Sequence, residues 1–419
     1  VGGSGQGGEA QKTEGAIAYL RCAWSLSPWT LAIRDSSSLR SGESSGNWSS
    51  FANILANGKN ADNANIAGTP GKRNSINYFL DITGSSLTSS KTIKKANSPY
   101  LITSEFTVQN GVTMTIEPGV VTKFYNTSSS LKINGALTAQ GTASEPIVFT
   151  SFKDDNYAGD TNANGTSTSP AAGDWASIKI LAAGSTIDRS VIKYGGYKDG
   201  FSNHWANLRV EDYYATVKNS TIQKSGAYGI WFKNAFGQID TNTISENNAN
   251  SNIDSTGIII EGGSPAVSNN TIASNYYGLR VLSNATSTIA TNTFSSNTSF
   301  AAESNGAYPS FSGSTASGNG TNGISLQGTV EQNYTLTSDI PYVIQNTTYA
   351  INSGKTLTVA AGTVFKLQGT GTISASGKII TNGTSANKVV FTSIKDDTYG
   401  GDTVLLPLPY RHGHTRELP

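Results

Sequence analysis

A single cysteine, Cys22, excludes an intramolecular disulfide framework, so packing and hydrogen bonding must hold this fold together. Charge is sparse as well. Charged residues are 14% of the 419 and the net charge is +1, which removes the electrostatic case for nucleic acid or an acidic membrane surface. No run of about 18 apolar residues occurs, so no membrane-spanning helix is expected. Helical periodicity is scarce throughout. The only methionine is Met114; with neither a start methionine nor a signal peptide, the chain is expected to be a mature or fragmentary piece of something longer. Of three histidines, only His204 lies outside the last residues of the chain.

What the chain has instead is Ser, Thr, Asn and Gly. Such a surface suits neutral or mildly charged glycans, met through hydroxyl and amide hydrogen bonds. The turns of a β-solenoid require the same residues, so composition alone leaves both readings open.

A motif recurs at coil-sized spacing: Ser220-Thr-Ile-Gln-Lys-Ser225, Asn242-Thr-Ile-Ser-Glu-Asn247, Asn270-Thr-Ile-Ala-Ser-Asn275 and Asn292-Thr-Phe-Ser-Ser-Asn297. Its apolar member falls at Ile222, Ile244, Ile272 and Phe294, giving steps of 22, 28 and 22. Three copies lead into a glycine and an apolar run: Gly229-Ile-Trp-Phe232, Gly257-Ile-Ile-Ile260 and Gly278-Leu-Arg-Val281. Repeats of this length mark a solenoid, in which each unit buries its apolar face by stacking on its neighbours. Asn or Ser, two before and three after the apolar residue, is expected to form ladders at the corners, each amide bonding its counterpart in the next coil. Glycan recognition is the alternative role for these asparagines.

A larger repeat frames the solenoid. The stretch Pro146-Ile-Val-Phe-Thr-Ser-Phe-Lys-Asp-Asp-Asn-Tyr-Ala-Gly-Asp-Thr161 returns as Lys388-Val-Val-Phe-Thr-Ser-Ile-Lys-Asp-Asp-Thr-Tyr-Gly-Gly-Asp-Thr403. Upstream, Met114-Thr-Ile-Glu-Pro-Gly119 matches Leu357-Thr-Val-Ala-Ala-Gly362, and each leads into an apolar run through Lys123-Phe124 or Phe365-Lys366. These runs alternate and are β-branched, as strands with one buried face should be. The expected organisation is all-β: a linker and small β module over 1–85, a parallel β-solenoid over 95–403, and a tail over 404–419 foreign in composition to the rest. The second copy departs from the first just after Thr403, which makes that tail read as a truncation or reading-frame artefact.

The Asn242-Thr-Ile and Gly257-Ile-Ile-Ile repeats resemble those of right-handed parallel β-helices of the pectate-lyase-like superfamily. The Phe149-Thr-Ser-Phe-Lys-Asp-Asp unit, followed by Gly173-Asp-Trp175, is similar to bacterial cell-surface β-helix proteins. Near the N-terminus, Ser45-Gly-Asn-Trp-Ser-Ser-Phe51 and Gly68-Thr-Pro-Gly-Lys-Arg-Asn74 resemble the closing segment of lamin-tail-like β-sandwich domains. The resemblance implies a fold, not an activity, because the superfamily holds lyases, hydrolases, epimerases, adhesins and tailspikes.

Two stretches carry candidate chemistry. Asp160, Asn162 and Asn164, followed by Gly165, have the spacing of the first half of a calcium loop, although no glutamate follows at position twelve. An Asx-rich turn is the alternative. The densest chemical neighbourhood is Tyr194 to Tyr214. Its acids and histidine, Asp199, His204, Glu211 and Asp212, are the catalytic candidates. Tyr197, Trp205 and Tyr213, with Trp231 and Lys233 one coil on, are the ligand-binding candidates, since aromatic faces stack on sugar rings. A loop whose aromatics merely cover a solenoid flank would look the same.

Specific enzyme signatures are thin. Asp240, Glu246, Asp254 and Glu261 do not recur at one coil position, as a lyase's acidic calcium cluster would, and Arg280 is the only arginine nearby. The Asp154-Asp155 pair recurs at Asp396-Asp397 and so belongs to the structural repeat. Threonine pairs such as Thr113-x-Thr115 and Thr356-x-Thr358 would suit an ice-binding array only if repeated in many successive coils, which they are not. The expectation is a secreted or surface-displayed β-helix that binds a polysaccharide or cell-surface glycan. A polysaccharide lyase or glycoside hydrolase is the second reading, and a structural stalk or surface-layer element the third.

Overall fold

The computed structural model describes residues 86–197, 206–247, 255–337 and 339–404, together with the backbone of Ala18–Tyr19, Ile33–Arg34 and Asn77–Tyr78. Apart from Ala18–Tyr19 and Ile33–Arg34, which pair antiparallel with each other, those residues form a right-handed parallel β-helix. The longest sheet has thirteen strands, running from Ser86–Leu87 through Ala206–Glu211 to Val390–Ser393. A second sheet of nine strands runs from Lys91–Ile93 to Ser310–Ser312, and a third of ten from Asn77–Tyr78 to Thr315–Ser317. Two further three-stranded sheets begin at Thr329–Val330 and Tyr334–Leu336. Thirteen strands at a spacing of ~4.8 Å give a body roughly 60 Å long.

The alternation of residues explains each strand. In Thr113–Ile116, Met114 and Ile116 are fully buried while Thr113 and Thr115 face outward. The repeated motif supplies one core column: Ile222 is paired in register with Ile244, Ile244 with Ile272, and Ile272 with Phe294. All four are 0% exposed. The longer middle step leaves this register intact, because its extra residues fall between Asn247 and Ser255, after the motif has paired. On the outer face of the same sheet, Thr221, Thr243, Thr271, Thr293 and Thr315 also fall in register, β-branched residues where extended backbone is needed and packing is absent.

The expected corner ladders are present and buried. In one, Asn242 and Asn270 donate their Nδ2 to Asn270 Oδ1 and Asn292 Oδ1 at 3.0 and 2.9 Å, and their backbone N–H groups donate to the same oxygens. In the other, Asn247, Asn275 and Asn297 repeat the arrangement as far as Asn319. Each Nδ2 also reaches a carbonyl of the preceding coil, such as Ile239 O from Asn270 at 2.8 Å. Every bonding group of these amides is engaged inside the wall, so they have nothing left to offer a ligand.

Two features differ from the expectation. The parallel ladder already includes Asn77–Tyr78, ahead of the start expected near residue 95, because that strand pairs with Tyr100–Ile102. The runs Val121–Phe124 and Ile147–Ser151 are buried on both faces, not one. The loop after Ser151 folds back over their outer side and closes it. The lamin-tail-like motifs at 45–51 and 68–74, and the tail after Val404, lie outside the described residues.

Candidate functional site

The loop that closes the first copy of the large repeat is organised around an ammonium. Lys123, 0% exposed, donates from Nζ to Asp154 O at 2.8 Å, Gly159 O at 3.1 Å and Thr161 Oγ1 at 2.8 Å. Burial pushes this amine down to about 8, against the pull of Asp154, Asp155 and Asp160. In the second copy Lys366 is equally buried and donates to Gly401 O at 2.6 Å. The first aspartate of each Asp-Asp pair is spent on the same construction, while Asp155 Oδ1 is buried without a hydrogen-bond partner. Asp154 accepts from Thr150 Oγ1 at 2.6 Å, and Asp396 accepts from Thr392 Oγ1 at 2.5 Å, which holds its carboxyl below the usual range. Two lysines and two acids of the large repeat thus serve as structural supports, as the recurrence of the Asp-Asp pair led us to expect of the acids.

Asp160, Asn162 and Asn164 do converge on one turn. Asp160 Oδ1 accepts from the Asn164 N–H at 3.1 Å, and its Oδ2 from the Gly165 N–H at 2.8 Å. Asn162 Oδ1 lies 3.4 Å from the Asn164 N–H, and Asn164 Nδ2 donates to Thr168 Oγ1 at 2.7 Å. Asn164 Oδ1 is buried and accepts nothing. Among the described residues no group of three His, Cys, Asp or Glu side chains is disposed to hold a metal.

Among the described residues, Glu211, Asp212, Tyr213, Trp231 and Lys233 gather on the outer face of the long sheet and the corner beside it. Asp199, His204 and Trp205 lie outside the described residues. Glu211 ends the strand Ala206–Glu211, where it bridges Arg209 at 2.6 Å and Lys233 at 3.5 Å. Asp212 makes the corner with φ of 64°, its N–H donating to Lys233 O at 2.9 Å. Tyr213, two residues from Glu211, is 45% exposed. Tyr197 sits apart, half-buried, with its N–H on Trp175 O at 3.1 Å.

Trp231 is not the open stacking platform that the sequence suggested. The indole is 6% exposed and packs among Tyr228, Ala206, Ile259 and Leu282. Arg209 pairs with it across the sheet and lies 4.3 Å from its ring centroid, covering a face a sugar would need. Its Nε1–H is buried and has no acceptor.

The exposed aromatics are one residue further around the corner. Tyr214 is 49% and Phe236 46% exposed, and the two pair directly in adjacent coils. With Tyr213, whose carbonyl accepts the Phe236 N–H at 3.0 Å, they make an open aromatic patch. Of six exposed large hydrophobic residues among those described, three are here. Sequence reading named Tyr213 but missed Tyr214 as a partner for Phe236, because their neighbourhood depends on coil register and not on local spacing.

The lyase-like acids disperse. Asp240 lies on the second sheet and accepts from Ser268 Oγ and Asn269 Nδ2, bonds that with Thr241 hold its carboxyl below the usual range. Glu246 pairs loosely with Lys224 at 3.6 Å, Glu261 is on the long sheet, and Asp254 is outside the described residues. Arg280 is not available as a base, since it bonds Glu303 and lies 5.5 Å from the Tyr277 ring.

Comparison with known proteins agrees with this architecture. The family model for the right handed beta helix region matches residues 177–340 and 249–394, together just over half of the chain. The model for the pectate-lyase like beta helix domain matches residues 85–211. Among curated proteins, Protein bark beetle of Drosophila melanogaster is 39% identical over 83 residues. That stretch is 20% of this chain and 3% of the fly protein, so the chain spans only a small part of that relative.

Proposed function

Because the chain belongs to the right-handed β-helix family, whose chemistry must sit on the outside of a filled core, we propose that it binds glycans at the corner of Tyr213, Tyr214 and Phe236. The observation that carries this reading is the exposure of these three rings, 45, 49 and 46%, on adjacent coils. Leaving that much aromatic surface in water has no folding rationale, while sugar rings stack on it readily. Glu211, Lys233 and Asp212 border the patch and supply hydrogen-bonding groups for hydroxyls. We place the protein outside the cell or on its surface, in keeping with its hydroxyl- and amide-rich exterior.

A panel of polysaccharides screened at once for retention and product release tests this. Tyr214→Ala and Phe236→Ala should each weaken retention about tenfold, the worth of one aromatic contact. The melting temperature should stay put, because neither ring packs in the core. Release of unsaturated or reducing-end products, abolished by Glu211→Ala or Asp212→Ala, would replace binding with catalysis; Asp199 and His204 complete that set. Silence in both readouts would leave the structural stalk.

Calcium is a second proposal, confined to Asp160, Asn162 and Asn164, where the vacant buried oxygen Asn164 Oδ1 supports it. Millimolar Ca²⁺ should raise the melting temperature, and Asp160→Ala should remove the rise. An unchanged melting curve of the wild-type protein would end the proposal, leaving the Asx turn and the Lys123 ammonium as the loop's whole explanation.

A further inference from the structure

We propose that the face of the solenoid formed by Thr372–Ala375, Lys378–Thr381 and Val390–Ser393 docks a β-coil of another polypeptide, led by a Gly-Asp-Trp sequence. The protein carries the pattern for that occupant within itself, because such a coil covers the same face in the first copy of the large repeat.

In the first copy, the coil made by Ser130–Ile133, Ala136–Gln140 and Ile147–Ser151 lies under the residues that follow Gly173-Asp-Trp175. Leu131 pairs in register with Ile178, Ala139 with Ile187 and Phe149 with Ile192. Leu131, Leu137, Ile147 and Phe149 are all 0% exposed as a result. Their counterparts in the second copy are Ile373, Ile379, Val389 and Phe391. The first three are only partly buried, and Phe391 is 48% exposed although it stacks on Phe365 at 4.8 Å. Among the described residues, each of the three strands here is paired on one side only. Three free edges and the apolar end of the core therefore face the same way.

An independent polar observation agrees. Asp174 of the first copy is gripped by two groups, Ser151 Oγ and Lys153 Nζ, each donating to its carboxylate at 2.7 Å. Both groups recur in the second copy as Ser393 and Lys395, held in the same relation. The Lys395 N–H donates to Ser393 Oγ at 3.2 Å, as the Lys153 N–H does to Ser151 Oγ at 3.1 Å. Ser393 and Lys395 are exposed, and among the described residues no carboxylate bonds either. The receiving half of the clasp is thus built twice, and the arriving half once.

Other occupants suit this face less well. A second molecule stacking head to tail would need an open face at the opposite end, where Leu87 and Ile93 are 3 and 2% exposed. The chain's own Leu405-Leu-Pro-Leu-Pro-Tyr410 includes Pro407 and Pro409, which have no N–H to give a ladder. A separate β-coil satisfies the edges by strand addition and covers the core end with its inward side chains.

The test uses the full chain and a fluorescent peptide of residues 171–194, the coil that covers the first copy. Saturable binding, read by anisotropy, is expected. Trp175→Ala in the peptide should weaken it about tenfold, the loss typical of a central aromatic anchor, and so should Phe391→Lys in the protein. Lys395→Gln in the protein and Asp174→Asn in the peptide should each weaken it about threefold, and together no more than either alone, since they remove one ion pair. Lys395→Gln should leave the melting temperature unchanged, because that exposed side chain supports nothing in the fold. Absence of saturable binding, or binding indifferent to both Phe391→Lys and Lys395→Gln, would overturn the proposal. Growth of mass with protein concentration that Phe391→Lys abolishes would overturn it too, by giving the face to a second molecule of this chain.

Discussion

Replacing Asn270 by alanine should destabilise the protein by about 4 kcal/mol, the largest effect expected of any polar substitution here. Asn270 is 1% exposed and sits mid-ladder. Its Oδ1 accepts from the Asn242 N–H and from Asn242 Nδ2, while its own Nδ2 donates to Asn292 Oδ1 and Ile239 O. Alanine would strand two donors of Asn242 and the Ile239 carbonyl, each a buried group that water cannot reach, and would leave a small void besides. Asn270→Asp should be no milder despite its matching shape, because a carboxylate would face Asn292 Oδ1 and Ile239 O with no hydrogen to give. Thr271→Ala is the control. Its exposed side chain touches neither ladder, and a change within about 0.5 kcal/mol is expected. Denaturant midpoints measure all three, and hydrogen exchange at coils 242–297 would show whether the loss is local, as a nearest-neighbour solenoid predicts. A loss below 1 kcal/mol for Asn270→Ala would mean that the ladder follows the fold instead of holding it.

The ladder also shows why the fold was legible in the sequence and the site was not. A parallel β-helix writes its core in local terms: Asn242, Ile244 and Asn247 recur as Asn270, Ile272 and Asn275, and each stacks on its own counterpart. Periodicity then predicts contact. The in-register stack of Lys132, Lys179 and Arg209 on the long sheet follows no such rule. Positions 132, 179 and 209 are separated by unequal stretches, one of which contains the whole loop 152–174, and nothing in their spacing says that they meet. The same blindness misplaced Trp231. An aromatic beside Lys233 looks like a sugar platform until the register sets Arg209 against its face. The Asp-Asp repeats were different, because recurrence at Asp396-Asp397 marked Asp154-Asp155 as structural and Asp154 and Asp396 accept from Thr150 and Thr392, whereas nothing in the spacing signalled the burial of Lys123 and Lys366.

Trp175→Ala should cost about 4 kcal/mol, and Trp175→Phe only about 1 kcal/mol, a difference that separates packing from hydrogen bonding. The indole is 0% exposed and stacks on Phe124 with ring centroids 4.0 Å apart and planes 7° from parallel. Its Nε1–H donates to Lys193 O at 2.8 Å, tying the loop after Ser151 to the next coil. The residues before it set this geometry. Gly173 takes a φ of 83°, and Asp174 accepts from Ser151 Oγ at 2.7 Å and from the Ala171 N–H at 2.9 Å while pairing with Lys153. The Gly-Asp-Trp sequence is thus a clasp: a turn, a carboxylate that fixes it, and a ring driven into the core. Phenylalanine keeps most of the stacked area and gives up only the bond to Lys193 O, whereas alanine opens a cavity lined by Phe124. Gly195 approaches the indole so closely that a Cβ there would lie 2.8 Å from Trp175 Cε2. Equal losses for the two variants would assign the clasp to its hydrogen bond, and the ring stack would then be incidental to how the loop is held over Lys123.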